Sequence, residues 1–79
     1  MNIELKYFAS IRESIGVSSE RLNWNSGTAD ELLTYLENKY GKKLKSKHLK
    51  VAVNDEYTSF DTEISDGDVV TFIPPVAGG

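Results

Sequence analysis

Groups able to do chemistry are scarce in this chain of 79 residues. His48 is the one histidine and stands in a lysine-rich stretch with no acid or cysteine beside it. A histidine so placed is more often a surface residue than a base or a ligand. No serine lies in a G-x-S-x-G elbow, and there is no second histidine to serve as base. Asp66 and Asp68 flank Gly67, but a calcium loop needs many more oxygen ligands at fixed spacing. The pair reads as a turn capped by its own aspartates. The chain has no cysteine, which excludes a thiolate nucleophile, a Cys-type zinc site and a disulfide framework. No glycine-rich phosphate loop with a Gly-Lys-Ser/Thr end occurs. What remains is the C-terminus: Pro74, Pro75, Val76, Ala77, Gly78 and Gly79.

Two terminal glycines invite a reason, because glycine is costly to order. Composition leaves three readings open: a frayed end, a cloning remnant, or a slender arm. In the last, Gly78 and Gly79 present no Cβ, so the terminal carboxylate can pass through a narrow channel in another protein. Pro74 and Pro75 give that arm a stiff, extended base. Fully extended, residues 74–79 reach on the order of 20 Å.

The elements that must position such an arm follow from periodicity. Residues 2–9 alternate, with Ile3, Leu5 and Tyr7 on one face and Glu4 and Lys6 on the other, the period of a half-buried strand. Phe8 breaks the alternation by falling on the polar face. Residues 9–15 read as a short helical or turn segment stopped by Gly16, and residues 20–24 as a strand anchored by Leu22 and Trp24. Thr28 and Glu31 have the spacing of a capping box. Ala29, Leu32, Leu33, Leu36 and Tyr40 then recur along one helical face, and Gly41 is the natural residue to close it. Residues 49–53 form a strand, Asn54-Asp55 a turn, and 56–59 a short return strand. Residues 65–68 form a tight turn, and 69–73 a last strand that Pro74-Pro75 terminates. One sheet crossed by one apolar helix stripe predicts an α+β fold. If the first and last strands pair in parallel, that fold is a ubiquitin-like β-grasp. The expected division is a domain of residues 1–73 and an arm of residues 74–79.

Length allows one domain with one modest core, too small for a deep catalytic cavity. With 39% hydrophobic and 27% charged residues the chain is too apolar and too mixed in charge to be disordered. Net charge is −3, unevenly placed: residues 39–50 hold six lysines and no acid, residues 51–79 six acids and no base. The lysine run lacks arginine and sits in an acidic chain, so it reads as a solvated helix end rather than a nucleic-acid patch. There is no apolar run of membrane-spanning length and no signal-peptide h-region at the start. A cytoplasmic protein without membrane or nucleic-acid partner is expected.

Residues 66–79, Asp-Gly-Asp-Val-Val-Thr-Phe-Ile-Pro-Pro-Val-Ala-Gly-Gly, resemble the C-terminal signature of molybdopterin synthase small subunits. Phe8-Ala9-Ser10-Ile11-Arg12-Glu13 followed by Gly16 is similar to that family's N-terminal signature, and Val51-Ala52-Val53-Asn54 to the strand and turn before the C-terminal one. Between residues 17 and 47 only the order of elements agrees. The resemblance implies a β-grasp sulfur carrier with no bound cofactor, no metal and no catalytic side chain of its own. In that family an ATP-dependent, E1-like enzyme adenylates the terminal glycine, here Gly79. A sulfur donor then converts it to a thiocarboxylate. The arm enters the molybdopterin synthase large subunit, where its sulfur attacks cyclic pyranopterin monophosphate on the way to the dithiolene of molybdopterin. The family assembles as a heterotetramer of two small and two large subunits. Phe8, Tyr57 and Ile73 match its docking face for the large subunit, and Arg12 matches a position able to pair with a partner carboxylate or phosphate. Strand parity puts Ile73 on the outer face with Val69 and Thr71, and Val70 and Phe72 in the core.

Three other readings compete. A carrier for thiazole synthesis or tRNA thiolation shares the Gly-Gly end and the adenylation step, but the Pro-Pro-Val-Ala-Gly-Gly ending favours the molybdopterin branch. A ubiquitin-like modifier would join Gly79 to lysines of other proteins. A plain interaction domain would carry an inert tail.

Overall fold

The computed structural model describes residues 1–25 and 27–75. The elements follow in the order β1 (Asn2–Tyr7), α1 (Ala9–Ile15), β2 (Ser19–Asn23), α2 (Ala29–Tyr40), β3 (Lys50–Val53), β4 (Glu56–Thr58) and β5 (Val69–Ile73). The strands make one five-stranded sheet in the order β2-β1-β5-β3-β4. β1 and β5 pair in parallel at its centre, and β1–β2, β3–β5 and β3–β4 are antiparallel. This is the β-grasp arrangement expected from element order.

Helix α2 starts where the sequence says it should. The Thr28 side chain accepts from the Glu31 N–H, and the Glu31 carboxylate accepts from the Thr28 N–H at 2.9 Å. The next two orphan donors of the first turn, the N–H groups of Ala29 and Asp30, reach the carbonyls of Thr62 and Phe60, both at 2.9 Å. The helix start is thereby tied to the loop before β5. Gly27 sits at φ 142°, and a Cβ there would meet Glu31 Oε1 at 2.8 Å and Trp24 at 2.9 Å. Only glycine fits this approach. At the other end Gly41 closes the helix in the left-handed region.

The stripe Ala29, Leu32, Leu33 and Leu36 is buried against the sheet's inner face, where Ile3, Leu5, Tyr7, Val70 and Phe72 are buried in turn. Strand β2 ends one residue earlier than the sequence pattern predicts, because the partner of Trp24 in the β1–β2 register is Met1, the chain terminus, although the two still exchange the bonds of a ladder pair. The Trp24 N–H donates to the Met1 carbonyl, and its own carbonyl accepts from the Met1 ammonium, both at 2.8 Å. The turn before β5 uses both of its aspartates. Asp66 accepts from the Asn2 N–H at 2.7 Å, and Asp68 accepts from the Ser65 N–H at 2.7 Å and from the Asn54 amide at 2.9 Å. Their oxygens are committed to the turn. No helix among the described residues is long and apolar enough to cross a membrane.

Candidate functional site: the outer sheet face and the end of β5

Helix α2 covers one face of the sheet, and the site lies on the other. Parity along the strands sends Lys6, Thr71, Ile73, Ala52 and Tyr57 to this outer face. The register then aligns four of them in one row across the sheet: Lys6 opposite Thr71, Thr71 opposite Ala52, and Ala52 opposite Tyr57. One step toward the C-terminal end of β5, Ile73 stands opposite Lys50. A hollow of about 220 Å³ forms here, lined by Lys6, Phe8, Ala52, Asp55, Tyr57, Thr71 and Ile73.

Phe8 and Tyr57 stand exposed at 49% and 70%, while Ala52 and Thr71 between them are reduced to 7% each. Ile73 is half-buried. Large side chains outside and small ones within produce the depression. The Lys50 ammonium lies 6.0 Å from the centre of the Tyr57 ring, in range for a cation–π contact.

Local structure gives up something to put Phe8 here. Phe8 occupies the N-cap of α1 with extended dihedrals (φ −126°, ψ 153°) and supplies no side-chain cap. Serine, threonine, aspartate or asparagine would stabilise that position by about 1 kcal/mol relative to a non-capping residue. Ala9 follows at φ 49°, a left-handed conformation uncommon for a residue with a Cβ. An unfavourable cap beside a strained residue, both serving to present an exposed aromatic ring, is the pattern of a functional position.

Three of the four residues assigned to docking by sequence, Phe8, Tyr57 and Ile73, therefore line one hollow. Arg12 is not among its lining residues; it is exposed on α1. The chain leaves β5 directly from this hollow: Ile73 lines it, Pro74 is buried and Pro75 is exposed. Val76, Ala77, Gly78 and Gly79 lie outside the described residues. Sequence reasoning missed Lys6, Ala52 and Asp55 as parts of the site. Strand parity already placed Thr71 on the outer face, but the lateral alignment that joins it to Ala52 comes from pairing between distant segments.

Beneath the same end of β1 lies a second polar cluster. Glu20 accepts from the Tyr7 hydroxyl at 2.6 Å, from the Tyr40 hydroxyl at 2.5 Å and from the Lys39 ammonium at 3.3 Å. Burial pushes the Glu20 carboxyl upward, but the phenol hydrogen bonds and the nearby ammonium outweigh it and hold its pKa below the usual value. Burial, reinforced by the Glu20 bond, pushes the Tyr7 phenol far up, so it remains a neutral donor. This cluster ties β1 and β2 to the end of α2.

The lysine run is ordered rather than loose. Glu37 accepts from the N–H groups of Leu44 and Lys45 at 2.8 and 2.9 Å, and Leu44 and Leu49 are buried. Lys45 reaches Asp30 at 3.5 Å and Thr34 at 2.9 Å. His48 is exposed. Among the described residues no group of three His, Asp or Glu side chains is placed to hold a metal ion.

The ThiS family profile matches residues 5–79. The chain is 32% identical over 80 residues to the molybdopterin synthase sulfur carrier subunit of Escherichia coli, covering 98% of this chain and 99% of that protein. It is 34% identical over 94 residues to small archaeal modifier protein 3 of Haloferax volcanii, covering all of both. Among solved structures, the complex of subunits 1 and 2 of the molybdopterin-converting factor from Helicobacter pylori holds a chain that is 30% identical. It superposes with a TM-score of 0.68 over the full length of both chains. With the β-grasp sheet, the exposed hollow and similarity along nearly its whole length, the chain belongs to the ThiS family of ubiquitin-like proteins.

Proposed function

We propose that this chain is the sulfur carrier subunit of molybdopterin synthase, with the Gly79 carboxylate as its working group. The observation that carries this reading is the end-to-end similarity to molybdopterin synthase sulfur carrier subunits at 32% identity. The hollow at the arm root adds a place for the partner to dock.

The chemistry follows from the poverty of the chain's own side chains. A carboxylate is a poor electrophile. In the proposed cycle an E1-like partner joins Gly79 to the AMP moiety of ATP, releasing pyrophosphate and creating a good leaving group. Sulfide-level sulfur from a donor then attacks the acyl carbon as HS⁻, AMP departs as its bond to that carbon breaks, and loss of the S–H proton leaves a thiocarboxylate, an anionic sulfur nucleophile. The large subunit receives the arm and holds the cyclic pyranopterin monophosphate that the sulfur attacks. Hydrolysis of the acyl–sulfur bond then leaves the sulfur on the pterin and returns Gly79 as a carboxylate, and two deliveries complete the dithiolene. ATP and the acid–base groups belong to the partners. Phe8, Tyr57 and Ile73 seat the carrier on the large subunit, and Arg12 pairs with a partner anion at the rim. Residues 74–79 form the arm, and the assembly is a cytoplasmic heterotetramer.

The activating enzyme's channel for the arm must exclude water, or the adenylate would hydrolyse. A channel that narrow admits glycine and rejects a Cβ. Deleting Gly79 withdraws the carboxylate by one residue, roughly 3.3 Å, and misplacement on that scale costs orders of magnitude in rate. Deletion of Gly79, a C-terminal tag and Gly78→Val are each expected to abolish sulfur transfer in the reconstituted system without lowering thermal stability. A tagged carrier that transfers sulfur at the normal rate, its tag shown intact, contradicts the reading.

A second reading is favoured by the similarity to small archaeal modifier protein 3. A modifier uses the same activated glycine but ends in an isopeptide bond to a lysine. Conjugates recovered from cells with Gly79 linked to lysine would support it.

A further inference from the structure

We propose that the hollow on the outer sheet face is a socket for one apolar side chain of the subunit that receives the arm. Ala52 and Thr71 form its floor, and Phe8 and Tyr57 its walls. The inference rests on the docking reading above and goes beyond it by stating how that face binds.

The socket is written into the strand register. The row Lys6, Thr71, Ala52, Tyr57 crosses four adjacent strands, and neighbouring strands lie about 4.8 Å apart, so it spans about 14 Å. Its two middle residues are short and its two end residues long. Phe8 adds a second wall beside Lys6. Among the described residues no helix covers this face, yet Ala52 and Thr71 are each only 7% exposed. The taller residues around them flank the floor, which needs little further coverage to become dry.

Size and charge select the occupant. At about 220 Å³ the hollow is smaller than the roughly 300–1,000 Å³ that cofactor-sized ligands occupy. One large side chain is the appropriate scale. Lys6 and Asp55 in the lining are of opposite sign and cancel, and the Lys50 ammonium at the edge is engaged over the Tyr57 ring, so the interior of the hollow is left to its apolar surface. The apolar lining of Phe8, Ala52, Tyr57 and Ile73 fits an aliphatic or aromatic knob.

Position selects the partner. Ile73 lines the socket and immediately precedes the arm. A subunit that threads residues 74–79 into a channel therefore lies against the socket mouth. A second copy of this chain fits less well. Among the described residues its exposed large apolar side chains are Phe8, Val17, Tyr35 and Tyr57, and the first and last of these are the walls themselves. A buried apolar anchor seated in a pocket and ringed by polar groups is the usual centre of an interface.

The test is to plug the socket without removing any wall. Ala52→Leu fills the floor on a face that carries no core packing. Titrated calorimetrically against the molybdopterin synthase large subunit, the folded variant is expected to bind at least about 30-fold more weakly than wild type, the loss of one hot spot. Val17→Leu, which adds bulk at an exposed apolar position outside the socket, is expected to bind within a few-fold of wild type. Wild-type affinity for Ala52→Leu overturns the socket. Phe8→Asp is run in parallel. If it loses binding while Ala52→Leu keeps it, the docking face stands and the socket does not. If neither loses binding, the docking reading fails as well. Should Ala52→Leu not fold, the wild-type Ala52 methyl group is followed by NMR in the complex. Intermolecular contacts to aliphatic or aromatic protons of the large subunit are expected, and their absence overturns the proposal. So would a dimer of the free carrier that Ala52→Leu dissolves, because the occupant would then be a second copy.

Discussion

Replacing Phe8 with aspartate separates docking from folding, because the two halves of this side chain do different jobs. Phe8 is 49% exposed. A phenylalanine offers on the order of 200 Å², so about 100 Å² is available to a partner and about 100 Å² is already covered by the domain. At about 25 cal/mol per Å² the partner's half is worth about 2.5 kcal/mol, or about 60-fold in affinity. A carboxylate left in a desolvated interface weakens binding further. Within the domain the loss is at most about 2.5 kcal/mol. It is partly offset because position 8 is the N-cap of α1, where aspartate gains about 1 kcal/mol. The remaining deficit of about 1.5 kcal/mol corresponds to a drop in Tm of about 6–12 °C for a domain of this size. Circular dichroism is therefore expected to show a folded variant at 25 °C with a modestly lower Tm. Titration against the large subunit is expected to show affinity reduced at least about 60-fold. A variant that is unfolded at 25 °C would make Phe8 a core residue, and a folded one that binds normally would remove the docking face from the account.

Two further outcomes follow from the charged groups. Neutralising Lys42, Lys43, Lys45 and Lys47 together should leave sulfur transfer from a pre-loaded carrier near normal, measured as molybdopterin formed per turnover. Among the described residues the ion pair lost, Lys45 with Asp30, is exposed and worth no more than about 1 kcal/mol, and a large loss of activity would mean that the loop docks a partner or an anionic substrate. Acid unfolding should be blunted in Glu20→Gln. The folded-state pKa of Glu20 lies below its ordinary value of 4.5, so its contribution to stability is complete above that value and disappears as pH falls through the folded pKa. A urea-stability profile whose acid slope is the same in Glu20→Gln and wild type would contradict this assignment.

The features legible in the sequence were those set by local spacing. Thr28 and Glu31 lie three apart, Gly41 follows the last turn, and Pro74-Pro75 ends β5, so each boundary could be read from a few neighbouring residues. Phe8 was legible as an irregularity, since one aromatic residue on a polar strand face disturbs a period of two. The row from Lys6 to Tyr57 was not legible, because it depends on how β1, β5, β3 and β4 slide against one another. No local pattern fixes that register; the core does, by demanding that Leu5, Val70 and Val51 face α2 together. The hold of Glu20 on Tyr7 and Tyr40 was hidden for the same reason. Alternation sends the Tyr7 ring inward, but the partner of its hydroxyl lies 13 residues away on another strand.

The central claim is that this chain carries sulfur on its own terminal carboxylate. It is tested most directly by intact-mass analysis of the chain isolated with its native partners, with fragmentation to locate any change. The account predicts a fraction of molecules heavier by one oxygen-to-sulfur exchange, confined to Gly79, formed only when ATP and a sulfur donor are supplied and lost when the pyranopterin substrate is added. A terminus that remains a plain carboxylate with activating enzyme, ATP and sulfur donor all present would contradict it.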